Sequence, residues 1–204
     1  VEAVGDDLLA FWPRAPRTDR AVAFYPGGLV DERAYAPLLR RVALGGVTAV
    51  LVPMPADLAV LAPRKGDDAV DALPELGPWI AAGHSLGGAM AATWADARRD
   101  DVAGLALLAA YPAAGRDLSD APFPALSITA SEDGVLDRDR WEERRALLPD
   151  DTTYLEIAGG NHAGFGAYGP QRDDGEASLP ALQQWDQTAA ALAAWVLDEE
   201  AAQP

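Results

Sequence analysis

Continuous apolar runs alternate along the chain with stretches of helical spacing. The runs at residues 8–12, 21–25 and 47–52 predict strands, as do those at 79–82, 102–109, 126–129 and 153–157. Between them, residues 32–44 place Tyr35, Leu38, Leu39 and Val42 on one helical face. Gly45 and Gly46 end that helix. Shorter or more polar helices are predicted over 67–73 and 138–147. A longer one follows Ser85 to about Arg99, and a final one over 179–197 turns Leu182, Trp185, Ala189, Leu192 and Val196 inward. Apolar strands alternating with helices predict an α/β fold, a mostly parallel sheet covered on both faces, as one domain over 1–204. The stretch between the strands near Ala110 and Ala125 is too short for a helical lid.

Composition narrows the chemistry. The chain has no cysteine, which excludes disulfides, a thiolate nucleophile and thiolate metal sites. Acidic residues total 32 against 16 basic ones, the formal net charge is −16, and Lys65 is the only lysine. Such a surface repels nucleic acid. It suits a protein kept soluble in high salt, and we read the chain as halophilic. The acidic pairs 67–68, 100–101, 150–151 and 173–174 are read as solvated faces rather than metal ligands. No run spans a bilayer and no signal-peptide pattern is present. A cytoplasmic location is expected, or an extracellular or membrane-anchored one if a segment preceding Val1 has been removed.

The most specific pattern is Gly83-His84-Ser85-Leu86-Gly87, between the apolar run 79–82 and a helical run. Strand, Gly-x-Ser-x-Gly and helix form the context of a nucleophile elbow, a turn so sharp that a Cβ at either glycine would collide with its neighbours. A serine hydroxyl needs a base, and the chain has two histidines. His84 adjoins the serine and in an extended segment points away from it, so packing or hydrogen bonding beneath the elbow is its expected role. His162 follows the last strand in a glycine-rich loop and is the expected base. Asn161, the only asparagine, either ties that loop through its side chain or takes a left-handed conformation. The acid that orients the base is expected in the loop after 126–129: Asp133, with Glu132 and Asp137 as alternatives. Oxyanion donors are expected at the amide of Leu86 and in Pro26-Gly27-Gly28-Leu29, at Gly28 or else Leu29. Leu29, Met54 and Phe165 are expected pocket residues, within the segments Met54–Leu58 and Phe165–Arg172.

The order Ser85, Asp133, His162 is that of α/β-hydrolases. Several further segments resemble the bacterial and archaeal alpha/beta hydrolase fold-5 group, which includes dienelactone-hydrolase-like relatives. They are Phe24-Tyr25-Pro26-Gly27-Gly28-Leu29-Val30-Asp31, Tyr35-Ala36-Pro37-Leu38, Met54-Pro55 with Leu58-Ala59-Val60, the elbow through Ala91, Asp133-Gly134-Val135, Gly159-Gly160-Asn161-His162 and Phe165 to Gln171. The similarity runs from about residue 20 to the C-terminus. It implies a lidless α/β-hydrolase with Ser85 as nucleophile, Asp133 as acid and His162 as base. It also implies a small-molecule ester substrate, with no metal and no cofactor. The same fold also serves thioesterases, acyltransferases, perhydrolases, polyester hydrolases and non-catalytic binding proteins. Pro26 stands where many relatives carry the His of a His-Gly loop. The dienelactone hydrolases proper use a cysteine nucleophile, so their substrate does not carry over.

Overall fold

A computed structural model describes residues 1–201. The strands are β1 (Glu2–Val4), β2 (Leu8–Phe11), β3 (Ala21–Tyr25), β4 (Thr48–Leu51), β5 (Trp79–His84), β6 (Val102–Leu108), β7 (Ala125–Ala130) and β8 (Thr153–Ile157). They form one sheet in the order β1-β2-β4-β3-β5-β6-β7-β8. β2 runs antiparallel to both β1 and β4, and β3 to β8 are parallel to one another. The helices are α1 (Ala36–Leu44), α2 (Gly66–Ala72), α3 (Leu86–Ala97), α4 (Arg138–Arg144) and α5 (Ala181–Ala201).

Side-chain alternation along the strands feeds two cores. In β3, Val22 and Phe24 pack on one face with Leu38, Leu39 and Val42 of α1 and with Leu192 and Val196 of α5. Ala21, Ala23 and Tyr25 pack on the other with Ala69 of α2 and with Ala91, Ala92 and Trp94 of α3. Period two in the strand against 3.6 in the helix therefore builds the sandwich, with apolar burial as its driving force.

Three details differ from the expectation. β1 is a short edge strand whose exposed residues carry no apolar signal. Leu182 is exposed, because the first turn of α5 buries Gln184 instead. The acidic pairs are not all solvated: Asp67 accepts the indole N–H of Trp94 at 2.9 Å and pairs with Arg98 at 3.2 Å.

Position follows from topology. From β3 the chain moves outward to β4, then crosses back to β5 on the other side, so the crevice between β3 and β5 is a topological switch point. Open α/β sheets bind ligands at the carboxyl ends of their strands, at such a point. Gly28 follows β3 and Ser85 follows β5, one on each side of it. No helix interrupts residues 109–124, and no separate lid covers this end of the sheet among the described residues. No described helix is long and apolar enough to cross a membrane.

Candidate active site

Ser85 stands between the last residue of β5 and the first of α3 with φ 53° and ψ −124°, a conformation that costs a residue with a Cβ about 1–3 kcal/mol. Its neighbours impose it. A Cβ on Gly83 would lie 2.6 Å from the Gly87 carbonyl carbon, and one on Gly87 would overlap the carbonyl oxygens of Tyr25 and Pro26. β3, β5 and α3 thus meet backbone to backbone. Ser85 N–H donates to Leu108 O of β6 at 2.9 Å, which anchors the turn.

Asp133 and His162 come together from two loops. Asp133 Oδ2 lies 2.8 Å from His162 Nδ1, and both side chains are buried. Asp133 Oδ1 accepts the amides of Val135 at 2.9 Å and Leu136 at 2.8 Å. Burial alone would raise the carboxyl pKa. The bond and proximity to His162, with those two amides, outweigh it and hold Asp133 below the usual aspartate value. The alternative acids are engaged elsewhere. Glu132 accepts the Ser131 hydroxyl at 3.0 Å, and Asp137 caps α4 through the Arg140 amide at 3.0 Å. His162 Nε2 is buried without a partner.

Asn161 orders the histidine loop by the side-chain route and has no left-handed φ. It donates to Gly175 O at 2.7 Å and accepts the Gly164 amide at 2.9 Å. Gln184 of α5 accepts the Asn161 amide and donates to its carbonyl. A second tie was not anticipated from the sequence. Asp174, half of an acidic pair expected to be solvated, accepts the amides of His162 at 3.2 Å, Ala163 at 2.8 Å and Gly134 at 3.1 Å. One carboxylate therefore clamps the histidine loop to the acid loop. Nothing local announces this, since its partners lie 11 to 40 positions away.

Beneath the elbow, His84 is buried, with Nδ1 2.8 Å from Tyr35 Oη and its ring centroid 4.5 Å from that of His162. Above it, Gly27 N–H donates to Tyr35 Oη at 3.0 Å, and Leu29 N–H donates to Asp57 O at 2.8 Å. That bond engages the Leu29 amide and removes it as a candidate oxyanion donor. A Cβ on Gly28 would lie 2.8 Å from Leu86 Cδ2, so the two candidate donor residues abut.

Ser85 and His162 border one cavity of about 310 Å³, walled by Leu86, Ala89, Ala110, Tyr111, Val135 and Leu136. The expected pocket residues do not line it. Leu29 projects into solvent, Met54 packs in the core, and Phe165 is buried against His84. The segment from Gly166 to Gln171 instead borders a separate groove of about 570 Å³ behind the histidine loop. Periodicity shows which residues are apolar but not which loop faces which crevice. No described cluster of His, Asp or Glu could hold a metal ion.

A family model described as "Alpha/beta hydrolase family" matches residues 21–186. The chain belongs to the alpha/beta hydrolase family. Solved members share its architecture at low identity. An alpha/beta hydrolase enzyme from the metagenome of sediments of the Mar Chica lagoon, Morocco, superposes with a TM-score of 0.70 at 13% identity, covering 98% of this chain and 100% of that one. The monoacylglycerol lipase of Paleococcus ferrophilus gives 0.68 at 13%, covering 97% and 100%. An esterase domain from Rhodothermus marinus gives 0.66 at 11%, covering 97% and 99%. No curated protein matches the sequence. For an alpha/beta hydrolase, the short β6–β7 connection leaves the cavity beside Ser85 open to solvent.

Proposed function

We propose that the protein is a serine hydrolase of small carboxylic esters. Ser85 is the nucleophile, His162 the base and Asp133 the residue that orients it. The observation that carries this reading is the buried Asp133–His162 contact of 2.8 Å beside a serine on a strained strand-to-helix turn. Ser85 Oγ attacks the acyl carbon while His162 Nε2 takes its proton. The tetrahedral oxyanion is held by the amides of Leu86 and Gly28, where the N-terminal end of α3 adds a favourable field. His162 then gives the proton to the departing alkoxide. Water, deprotonated by His162, releases the acid from the acyl-enzyme. The chemistry needs neither metal nor cofactor.

A cavity of about 310 Å³ with apolar walls and no lid suits a short acyl group. In a series of p-nitrophenyl esters, kcat/KM should be highest for acetyl to butyryl and fall for decanoyl. A fluorophosphonate should label Ser85 and no other serine. A flat or rising chain-length profile would remove the short-acyl assignment, and a folded protein that resists labelling would remove the nucleophile.

The acidic surface belongs to the same reading. Thirty-two carboxylates against 16 basic side chains repel one another at low ionic strength. At molar salt the screening length shrinks to about 3 Å. The melting temperature should therefore climb between dilute buffer and molar KCl. A flat or declining series would refute the halophilic assignment.

A further inference from the structure

The two proposed oxyanion donors lie on different elements, Gly28 after β3 and Leu86 after β5. Their spacing has to hold within a fraction of an ångström for both to meet one oxygen. A chain of buried hydrogen bonds joins those elements. Gly27 N–H donates to Tyr35 Oη at 3.0 Å, and Tyr35 Oη lies 2.8 Å from Nδ1 of His84, the residue before Ser85. The loop rests directly on this contact: a Cβ on Gly27 would stand 2.7 Å from Tyr35 Oη and 3.0 Å from His84 Nδ1.

The proton inventory favours one way of making the contact. A phenol has one proton to donate, and Gly27 already occupies part of its acceptor capacity. If His84 carried its hydrogen on Nδ1, the Tyr35 proton would be buried with no acceptor, at a desolvation cost. With Nδ1 bare, Tyr35 donates to it and the imidazole keeps its hydrogen on Nε2, which makes no full hydrogen bond but is favoured by the backbone carbonyl of His162. The other tautomer would leave both the Tyr35 proton and the Nε2 lone pair unpaired. Burial first, and then the neighbouring His162, hold His84 well below the ordinary histidine range, so it stays neutral. Neutrality matters because the proposed cycle makes His162 a cation with its ring centroid 4.5 Å away, and a second cation there would oppose it.

We propose that Tyr35 and His84 are positioning residues, a buried neutral strut that sets the separation of the Gly28 and Leu86 amides in the transition state. The inference rests on the reading of Ser85 as nucleophile. Tyr35→Phe keeps the ring and its packing on Phe24 but deletes the oxygen. It should lower kcat for p-nitrophenyl acetate roughly 10- to 100-fold, the scale of a slightly misplaced donor. KM should stay within about twofold of wild type. Affinity for an alkylboronic acid, which forms a tetrahedral anion on the serine, should fall in proportion to kcat/KM. His84→Asn offers an amide oxygen near the place of Nδ1 and should keep most activity, whereas His84→Leu should lose as much as Tyr35→Phe.

Rates are normalised to serine titrated by fluorophosphonate, so partial unfolding does not pass for a mechanistic loss. Wild-type kcat per titrated serine and wild-type boronate affinity in Tyr35→Phe would overturn the strut. Equal losses in His84→Asn and His84→Leu would overturn it too. Both outcomes leave the hydrolase reading intact. A wild-type protein that neither labels nor hydrolyses esters would remove that reading, and the strut with it.

Discussion

Ser85→Ala should lower kcat on p-nitrophenyl acetate by about 10⁴-fold or more, to the level that oxyanion binding alone sustains. The size of the loss follows from the role. Without Oγ no acyl-enzyme forms, and His162 can only assist direct attack by water in a cavity shaped for a different first step. The fold should survive, because the strained turn is imposed by the backbone contacts of Gly83 and Gly87 rather than by the serine hydroxyl. Circular dichroism and melting temperature should therefore match wild type while the fluorophosphonate adduct disappears from the mass spectrum. Hydrolysis that persists at wild-type rate in Ser85→Ala would assign the chemistry elsewhere. Loss of both activity and fold would show that the hydroxyl has a structural task, and a Ser85→Cys variant would then report on nucleophilicity with little change in size.

The same local rules make much of the fold legible in the sequence. β3 and α1 were readable because their burial is purely apolar, so hydrophobic period and structure coincide. Gly-x-Ser-x-Gly was readable because a turn that brings three backbones into contact tolerates little else. Legibility failed where polar groups are buried or partners are distant. Gln184 is buried because it bonds the Asn161 backbone, so a search for apolar periodicity put Leu182 inward in its place. Asp174 reads as a solvated charge because three of its four amide partners lie 11 to 40 positions away along the chain. The walls of the 310 Å³ cavity escaped for a related reason. They come from the segment just after β6, the loop just before α4 and the start of α3, short stretches with no pattern of their own. The expected lining from Met54 and Phe165 is instead spent on packing, one side chain in the core and one against the underside of His84.

Asp133→Asn should cost about 10³- to 10⁴-fold in kcat while leaving the loop in place. The reason lies in how the carboxylate is shared. Its Oδ1 accepts two amides, from Val135 and Leu136, and its Oδ2 faces His162 Nδ1. An asparagine that keeps both amide bonds must turn its NH₂ toward His162. That group donates, so Nδ1 has to be bare and the ring proton moves to Nε2, the atom required to accept the serine proton. The imidazole is then oriented but in the wrong tautomer. A second signature separates this from simple loss of packing. The folded-state pKa of Asp133 lies below its unfolded value, so its contribution to stability is present above the unfolded value and fades as pH falls through the folded one. Wild type should therefore lose melting temperature below about pH 4, where unfolded aspartate begins to protonate. Asp133→Asn, lower at neutral pH, should follow a flatter curve and converge with wild type in acid. Glu132→Gln, whose carboxyl bonds only Ser131, should leave both curves close to wild type. If Glu132→Gln rather than Asp133→Asn removed activity, the orienting acid would be Glu132. The contact of 2.8 Å between Asp133 and His162 would then be structural.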